Sequence, residues 1–388
     1  MSTQVEAETQ TPQPPYPLHP SVKDKLHPEY VAFYNQHVID QQQVHYQPVE
    51  ASRTSGVLIP GGGPVLEVGK VEDLLIPRAE ADAGEEGEIK VRVFMPKGET
   101  PADGWPAMLY FHGGGWVLGN IDTENTVCSH LCERGRCVVV TVDYRLAPEN
   151  PFPAAVHDAW SALLWLTSPE TQTKLSLNPS KLAIGGSSAG GNLAAVMAHK
   201  AVRHNQHLQS SPPPPSGPES GPESSGSSPK PINIAVQLLS VPVTDNTATV
   251  SNNPTYAAYE HTPALPAAKM LWYRRHYIPN PAEWSNPDAS PLLYPDTAEG
   301  EDDNNLIKHW AQLPPALILV GELDVLRHEG EAYAARLRDA GVRDVELVVM
   351  EGMPHPFLAM DGVLEAGRRA ISLMCERLER VFRSAETG

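Results

Sequence analysis

Short apolar runs alternate with helix-like segments along most of the chain, and this alternation limits the folds that the chain can adopt. The runs that predict strands are residues 66–76, 88–94, 107–111, 137–143, 182–185, 234–239, 316–320 and 345–350. The segments that predict helices are residues 153–166, 189–202, 329–340 and 363–382. Continuous apolar strands separated by helices are typical of parallel strands that are buried on both faces. The pattern therefore predicts an α/β fold with a mostly parallel central sheet and helices on both faces.

Composition limits the partners of such a domain. The length of 388 residues allows one large domain, and 41% hydrophobic with 20% charged residues is an ordinary globular balance. Lys and Arg number 29 against 47 Asp and Glu, a net charge of −18 that repels phosphate backbones and anionic lipid heads. We therefore expect no nucleic-acid partner.

Neither a membrane span nor a secretory signal is visible in the sequence. The longest uncharged apolar stretch, residues 232–241, is about half as long as a spanning helix must be. Residues 1–20 are polar and rich in proline, without the basic start and apolar centre of a secretory signal. A cytosolic location is expected by default.

The four cysteines do not form a disulfide framework in a chain of this size. Cys128, Cys132 and Cys137 cluster around His130, which raises the alternative of a zinc site. Cys128 and Cys132 are four residues apart on a probable helix, and Cys137 opens a valine-rich strand. Buried apolar cysteines explain this spacing better, so we expect no metal.

Three segments lie outside the strand and helix pattern. Residues 1–60, with proline clusters and a helix-compatible piece at 27–43, are expected to form an arm that packs on the main domain at 61–388. Residues 209–230 consist mostly of Pro, Ser and Gly, which predicts a disordered surface insertion; the alternative is a proline-rich partner motif. Residues 244–294 carry aromatics amid Pro and Asn and are expected to cover a pocket. These aromatics are Tyr256, Tyr259, Trp272, Tyr273, Tyr277 and Trp284.

A G-x-S-x-G motif occupies residues 186–190, between a predicted strand and a predicted helix. Such a motif places its central serine, Ser188, on a sharp strand-to-helix turn with the hydroxyl above the sheet. A side chain at Gly186 or Gly190 would clash with neighbouring backbone there. The alternative is a glycine-rich turn without a catalytic role.

A second motif, His112-Gly113-Gly114-Gly115, follows a predicted strand upstream of the serine. Backbone N–H groups of consecutive glycines can converge on an oxyanion, and a Cβ would block the approach. Taken alone, the segment is equally compatible with a flexible turn. The two motifs in this order favour a hydrolase site.

With the segments D-Y-R-L-A-P-E at 143–149 and F-P-A-A at 152–155, these motifs resemble the hormone-sensitive-lipase-like group of α/β-hydrolase esterases. The resemblance covers roughly residue 66 to the C-terminus. It implies the α/β-hydrolase fold, with a helical cap made from the N-terminal arm and residues 244–294. The chain departs from the family at Ser187, where an acid usually precedes the serine. Arg145, Glu149 and Asp158 are interpreted as a structural charge cluster near the site.

The base and acid follow from the order Ser, Asp or Glu, His in α/β-hydrolases. His355 follows the last predicted strand, where the resemblance places the catalytic histidine, although Pro356 replaces the usual glycine. Asp324 follows the preceding strand in the family's D-x-L register, with Glu322 as the alternative acid. His328, close by, is expected on the surface.

The resulting prediction is a serine carboxylic ester hydrolase for short- to medium-chain acyl esters. Its triad would be Ser188, Asp324 and His355, with an oxyanion hole of backbone N–H groups and no metal or organic cofactor. The oxyanion-hole residues would be Gly113, Gly114, Gly115 and Ala189. A lactonase, a deacetylase or amidase, or a tailoring hydrolase of secondary metabolism would use the same residues. A non-catalytic small-molecule receptor is a further alternative, although related plant gibberellin receptors lack the histidine.

Overall fold

The computed structural model describes residues 11–54, 60–79, 87–210, 230–296 and 309–384. Nearly all of the predicted disordered insertion, residues 211–229, therefore lies outside the described residues. Its first two residues belong to a helix rather than to a disordered segment.

One eight-stranded sheet organises the described part of the chain. Its strands are β1 (Lys70–Pro77), β2 (Glu88–Met95), β3 (Trp105–Phe111), β4 (Val138–Val142), β5 (Leu177–Ser187), β6 (Val236–Ser240), β7 (Ala316–Gly321) and β8 (Val345–Met350). The strand order is β1-β2-β4-β3-β5-β6-β7-β8. β2 runs antiparallel to both of its neighbours, and all other pairs are parallel. The predicted mostly parallel sheet is confirmed.

Helices cover both faces of this sheet. They are α1 (Pro28–His37), α2 (Val49–Thr54), α3 (Asn125–Gly135), α4 (Ala154–Thr167), α5 (Pro169–Lys174), α6 (Ala189–Ser210), α7 (Pro254–Ala258), α8 (Ala267–Tyr277), α9 (Arg327–Asp339) and α10 (Glu365–Ser384). Alternate residues of β3 point to opposite faces. Leu109 therefore packs in a core with α4, α6 and α9, whereas Met108 packs in a second core with α1, α3 and α10.

Several predicted elements differ from the structure at their ends: β1 begins at Lys70 rather than at 66, and α6 continues to Ser210 rather than ending at 202. β5 begins at Leu177 rather than at 182. Residues 178–181 are polar or proline and show no strand pattern in the sequence, but β5 already pairs with β3 at Leu177, before a register shift. α1 ends at His37, well before residue 43, and a short 3₁₀ turn, Val44–Tyr46, follows it. The arm is thus helical over a shorter stretch than its sequence suggests.

The cysteines lie in the second core. Cys128 and Cys132 on α3, Cys137 before β4 and Cys375 on α10 are all buried and free. Burial raises the pKa of each thiol, that of Cys375 to about 12. Within the described ranges no group of three or more His, Cys, Asp or Glu side chains is arranged to hold a metal ion. Among the described helices, none is long and apolar enough to cross a membrane.

Candidate active site

Ser188 lies on a sharp turn between β5 and α6. Its φ of 56° is in the left-handed region, which non-glycine residues rarely adopt. The Ser188 N–H donates to the Ser240 carbonyl of β6 at 2.8 Å. The turn therefore fixes the serine at the carboxyl edge of the central strands.

The glycines flanking Ser188 have no room for a side chain. A Cβ on Gly186 would lie 2.5 Å from the carbonyl oxygens of Gly190 and Phe111. A Cβ on Gly190 would overlap the Phe111 carbonyl and lie 2.6 Å from that of His112. Both glycines are thus required where the turn approaches the end of β3.

Asp324 and His355 are in contact in the loops that follow β7 and β8. The Asp324 Oδ2 lies 2.9 Å from the His355 Nδ1, and Asp324 is fully buried. Its Oδ1 accepts the Leu326 N–H at 2.9 Å, which fixes the carboxylate plane. Glu322, the alternative acid, instead accepts the Gly352 N–H at 2.7 Å. His328 is exposed, as predicted.

The histidine and the serine share one cavity of about 480 Å³. Gly113, Gly114 and Gly115 line the same cavity, beside Ser187 and Ser188. Ser188 is only 8% exposed and His355 5%, so both face an enclosed space rather than bulk solvent. Gly186, Gly190 and the first residue of α6, Ala189, adjoin Ser187 and Ser188 in the chain but are not themselves part of the lining.

The backbone of the glycine loop after β3 adopts a conformation in which a residue with a side chain would be strained. Gly114 and Gly115 have φ values of 123° and 61°. A Cβ on Gly114 would overlap the Leu118 carbonyl, and one on Gly115 would overlap the Tyr273 ring. The loop can approach the cavity this closely only because it carries no side chains.

His112 supports this loop from behind. Its ring stacks on Tyr144 with centroids 4.3 Å apart, and its Nδ1 lies 2.7 Å from the Gly113 carbonyl. Burial lowers the pKa of His112 to about 4, so the imidazole is neutral at physiological pH. This histidine positions the glycine loop.

The predicted charge cluster divides into two groups. Arg145 and Arg78 both pair with the buried Asp158, at 3.0 and 3.1 Å. Glu149 pairs with Arg53 of α2 at 2.8 Å. Arg53 also donates to the carbonyls of Ala147 and Val117, so it joins the arm to the segment after the glycine loop.

Most of the predicted pocket aromatics in residues 244–294 serve packing rather than the cavity wall. Tyr273 lines the cavity. Tyr277 stacks on Trp116 with centroids 4.2 Å apart, and the Tyr256 hydroxyl accepts from Arg274. The Tyr277 contact joins the segment to the loop after β3, whereas the Tyr256 contact lies within the segment itself.

Glu124 is a site residue that the sequence motifs do not reveal. It lines the cavity, and its Oε2 accepts the Tyr110 hydroxyl at 2.8 Å. A Cβ built on Gly113 would lie 3.5 Å from the Glu124 Oε1 and 3.6 Å from the Ser187 Oγ. A carboxyl group from the start of α3 thus lies beside Ser187, the position where the family usually has an acid. Burial raises the pKa of Glu124 to about 7.

The raised pKa of Glu124 predicts a pH-dependent contribution to stability. The folded protein holds this proton up to about pH 7, whereas the unfolded chain loses it near the ordinary value of 4.5. The contribution of Glu124 to folding therefore falls as pH rises between these values, by up to about 3 kcal/mol. Urea denaturation at several pH values should show this fall in wild type relative to Glu124→Gln. The exposed Glu170→Gln is the control, and a flat difference for Glu124→Gln would contradict the raised pKa.

Comparison with known proteins gives the class to which this fold and site belong. Residues 108–359 match the family described as alpha/beta hydrolase fold. An AB hydrolase superfamily protein of Schizosaccharomyces pombe is 46% identical over 355 residues. The aligned region covers 91% of this chain and 93% of the relative's chain. The ethyl acetate hydrolase of Pseudomonas putida is 31% identical over 292 residues, covering 75% and 78%.

Solved structures agree with these relatives. A hyperthermophilic esterase from the archaeon Pyrobaculum calidifontis superposes with a TM-score of 0.73 at 31% identity, covering 92% of this chain and 98% of its own. The chain belongs to the hormone-sensitive-lipase-like family of α/β-hydrolase esterases.

Proposed function

We propose that this protein is a serine carboxylesterase that hydrolyses small esters of short- to medium-chain acids through an acyl-enzyme. The observation that carries the proposal is the Asp324–His355 contact of 2.9 Å, made by a histidine that lines the same cavity as Ser188 and the glycine loop. The name of the Pseudomonas putida relative, ethyl acetate hydrolase, supports a small ester as the substrate.

The first half of the reaction would be acylation of Ser188. A serine hydroxyl is a weak nucleophile at neutral pH and needs a base. In our proposal the His355 Nδ1–H donates to Asp324, which leaves Nε2 to take the Ser188 proton as Oγ attacks the ester carbonyl. The same Nε2–H then protonates the departing alcohol.

The negative charge of the tetrahedral intermediate would be stabilised by backbone N–H groups of the glycine loop, Gly113 to Gly115, and of Ala189. Ala189 is the first residue of α6, where the N–H has no acceptor within the helix and the helix dipole favours negative charge. Water activated by His355 then attacks the acyl-enzyme and releases the acid. Each of these steps uses only groups of this chain, the ester substrate and water.

We assign the arm and residues 244–294 to a cap over the cavity. Tyr30, Phe33 and Val38 from the arm, and Met270 and Tyr273 from α8, contribute to the lining. Asn192 on α6 donates to the carbonyls of Val243 and Ala289, which lie near the two ends of the second segment. A cap held in this way would limit the length of the acyl chain. We expect the protein in the cytosol, on the sequence features alone.

Labelling with a fluorophosphonate, together with hydrolysis of p-nitrophenyl butyrate, tests the proposed function. Modification of the peptide that carries Ser188, with turnover, is the expected result. Faster turnover of lactones or anilides than of esters would favour the lactonase or deacetylase alternatives. A protein that binds esters but neither turns over nor labels would be the receptor.

The cap also predicts a dependence on acyl chain length. Each added methylene contributes about 0.8 kcal/mol of burial until the cavity is full, so activity should peak at about four to eight acyl carbons. Phe33→Ala enlarges the cavity and should shift the peak of kcat/KM toward longer p-nitrophenyl esters. Phe382→Ala is the matched control, because Phe382 is buried in the same core on α10, away from the cavity lining. An unchanged profile in Phe33→Ala would show that the arm does not bound the acyl pocket.

A further inference from the structure

One lysine lines the catalytic cavity without an acidic partner. Lys269, on α8, is part of the lining, and within the described part of the chain no carboxylate acts on its ammonium. Among the described residues its Nζ donates one hydrogen bond, to the Ala264 carbonyl at 2.7 Å. An ammonium group has three N–H donors, so two remain for another acceptor.

The surrounding residues hold this ammonium at the cavity wall. Ala264, itself in the lining, adopts a φ of 65° that turns its carbonyl toward the lysine. The Lys269 Nζ lies 6.0 Å from the centroid of the Tyr273 ring, which faces the glycine loop. The arm reaches the same cavity, since Gln43 and Val44 line it together with Lys269. Burial, and secondly the charge of Lys269, lower the pKa of His45 to about 4. His45 is therefore neutral and does not compete as a cation.

The ammonium of Lys269 is partly buried without an acidic partner among the described residues, which disfavours its charged form. Burial alone lowers the pKa of Lys269 to about 8, and no nearby acid offsets this effect. The acid in the cavity lining, Glu124, accepts the Tyr110 hydroxyl instead and lies beside Gly113. The chain carries 47 Asp and Glu residues, yet none neutralises this lysine in the described structure.

Polar side chains from the arm adjoin the same cavity. Gln41, Gln42, Gln43 and Gln47 all contribute to the lining, next to apolar residues such as Val44. Amide groups offer donors to a bound anion and do not neutralise the lysine. The cavity thus has a polar, cationic region in addition to the apolar one.

We propose that Lys269 is a specificity-determining residue that binds an anionic group, a carboxylate in the simplest case, on esters whose carbonyl lies at Ser188. The proposal rests on the proposed esterase function and names its substrate class: esters that carry a second, negatively charged group. The charge can be on the acyl side, as in a half-ester of a dicarboxylic acid, or on the alcohol side, as in an acylated hydroxy acid.

Matched ester pairs test the proposal on the full chain. On the acyl side, p-nitrophenyl hydrogen adipate is compared with p-nitrophenyl hexanoate; on the alcohol side, 4-acetoxybutanoate is compared with butyl acetate in a pH-stat. The readout is the ratio of kcat/KM for the anionic ester to that for its neutral partner. Because a charge-assisted hydrogen bond would be lost, Lys269→Met should lower this ratio about 10- to 100-fold in at least one pair.

Two controls accompany this variant. Lys269→Arg should keep part of the preference, and Lys174→Met, at an exposed position on α5, should keep all of it. Adipate alone should raise the Tm of wild type but not of Lys269→Met, a measurement that needs no turnover. The anion site would be overturned if Lys269→Met left the anionic-to-neutral ratio of kcat/KM unchanged in both pairs and adipate did not raise the Tm of wild type. The esterase proposal would then stay intact. Absence of turnover with the Tm shift retained would instead refute the esterase proposal alone.

Discussion

Replacing Ser188 with alanine should lower kcat for p-nitrophenyl butyrate by about 10⁶-fold, as removal of the nucleophile does in a well-studied serine protease. The loss is this large because no acyl-enzyme can form once Oγ is removed, so that His355 and the glycine loop have no covalent step to assist. Residual hydrolysis would come from binding and the oxyanion hole alone. Steady-state assays with the variant at high concentration measure the loss.

Ser187→Ala is the control for this prediction, because it removes the adjacent hydroxyl, which is buried beside Glu124. It should retain most of the activity and still label with fluorophosphonate. Full activity in Ser188→Ala, or label on Ser187, would contradict the assignment.

The Tm of the Ser188 variants distinguishes the loss of the nucleophile from a loss of folding. Ser188→Ala keeps the Cβ and therefore the cost of the φ of 56°, so its Tm should stay close to that of wild type. Ser188→Gly should be more stable by about 1 kcal/mol, because glycine adopts this conformation without strain. A lower Tm for the glycine variant would show that the turn is not strained.

The strands of the sheet could be predicted because parallel strands buried on both faces are apolar throughout. Every residue of β3 and of β7 is buried, and both runs stand out in the sequence. β5 could be predicted only in its second half, because residues 178–181 are polar or proline and lie in the register shift between Leu177 and Leu182, the residues at which the strand pairs with β3. That pairing is a tertiary event without a local signal.

The candidate site divides in the same way. Ser188 and the glycine loop belong to local motifs whose backbone requirements are visible in the sequence. The Asp324–His355 contact could be predicted because adjacent parallel strands, β7 and β8, end at the same edge of the sheet. Glu124 and Lys269 could not be predicted, since each is a single charged residue whose burial depends on packing from distant segments.

The aromatics of residues 244–294 show the limit of composition as a guide. Their number suggested a pocket wall, but Tyr277 is used against Trp116 and Tyr256 against Arg274. Burying a large aromatic ring stabilises a docked segment as well as it shapes a cavity. Composition predicts that the segment covers a pocket, and only the structure identifies Tyr273 as the ring among them that lines the cavity.

Asp324→Asn should lower kcat by up to about 10⁴-fold while KM changes little, as the equivalent substitution does in serine proteases. The asparagine fits the buried position, and its Oδ1 can still accept the Leu326 N–H. Its Nδ2 would donate to the His355 Nδ1, however, and so would favour the imidazole tautomer with the proton on Nε2. That tautomer cannot take the Ser188 proton, so the chemical step would be lost and substrate binding retained.

Glu322→Gln is the matched control, because it also replaces a carboxylate of this loop by an amide. The Glu322 carboxylate accepts the Gly352 N–H, three residues before His355, and an amide oxygen can accept it as well. We therefore expect this variant to lose less than about 10-fold in kcat, since the contact to His355 stays in place. Pre-steady-state burst measurements on both variants separate acylation from deacylation, and Asp324→Asn should slow both, because His355 acts in each. If Glu322→Gln showed the larger loss, the acid that orients His355 during turnover would be Glu322, and the loop would have to rearrange from the conformation in which Asp324 contacts the imidazole.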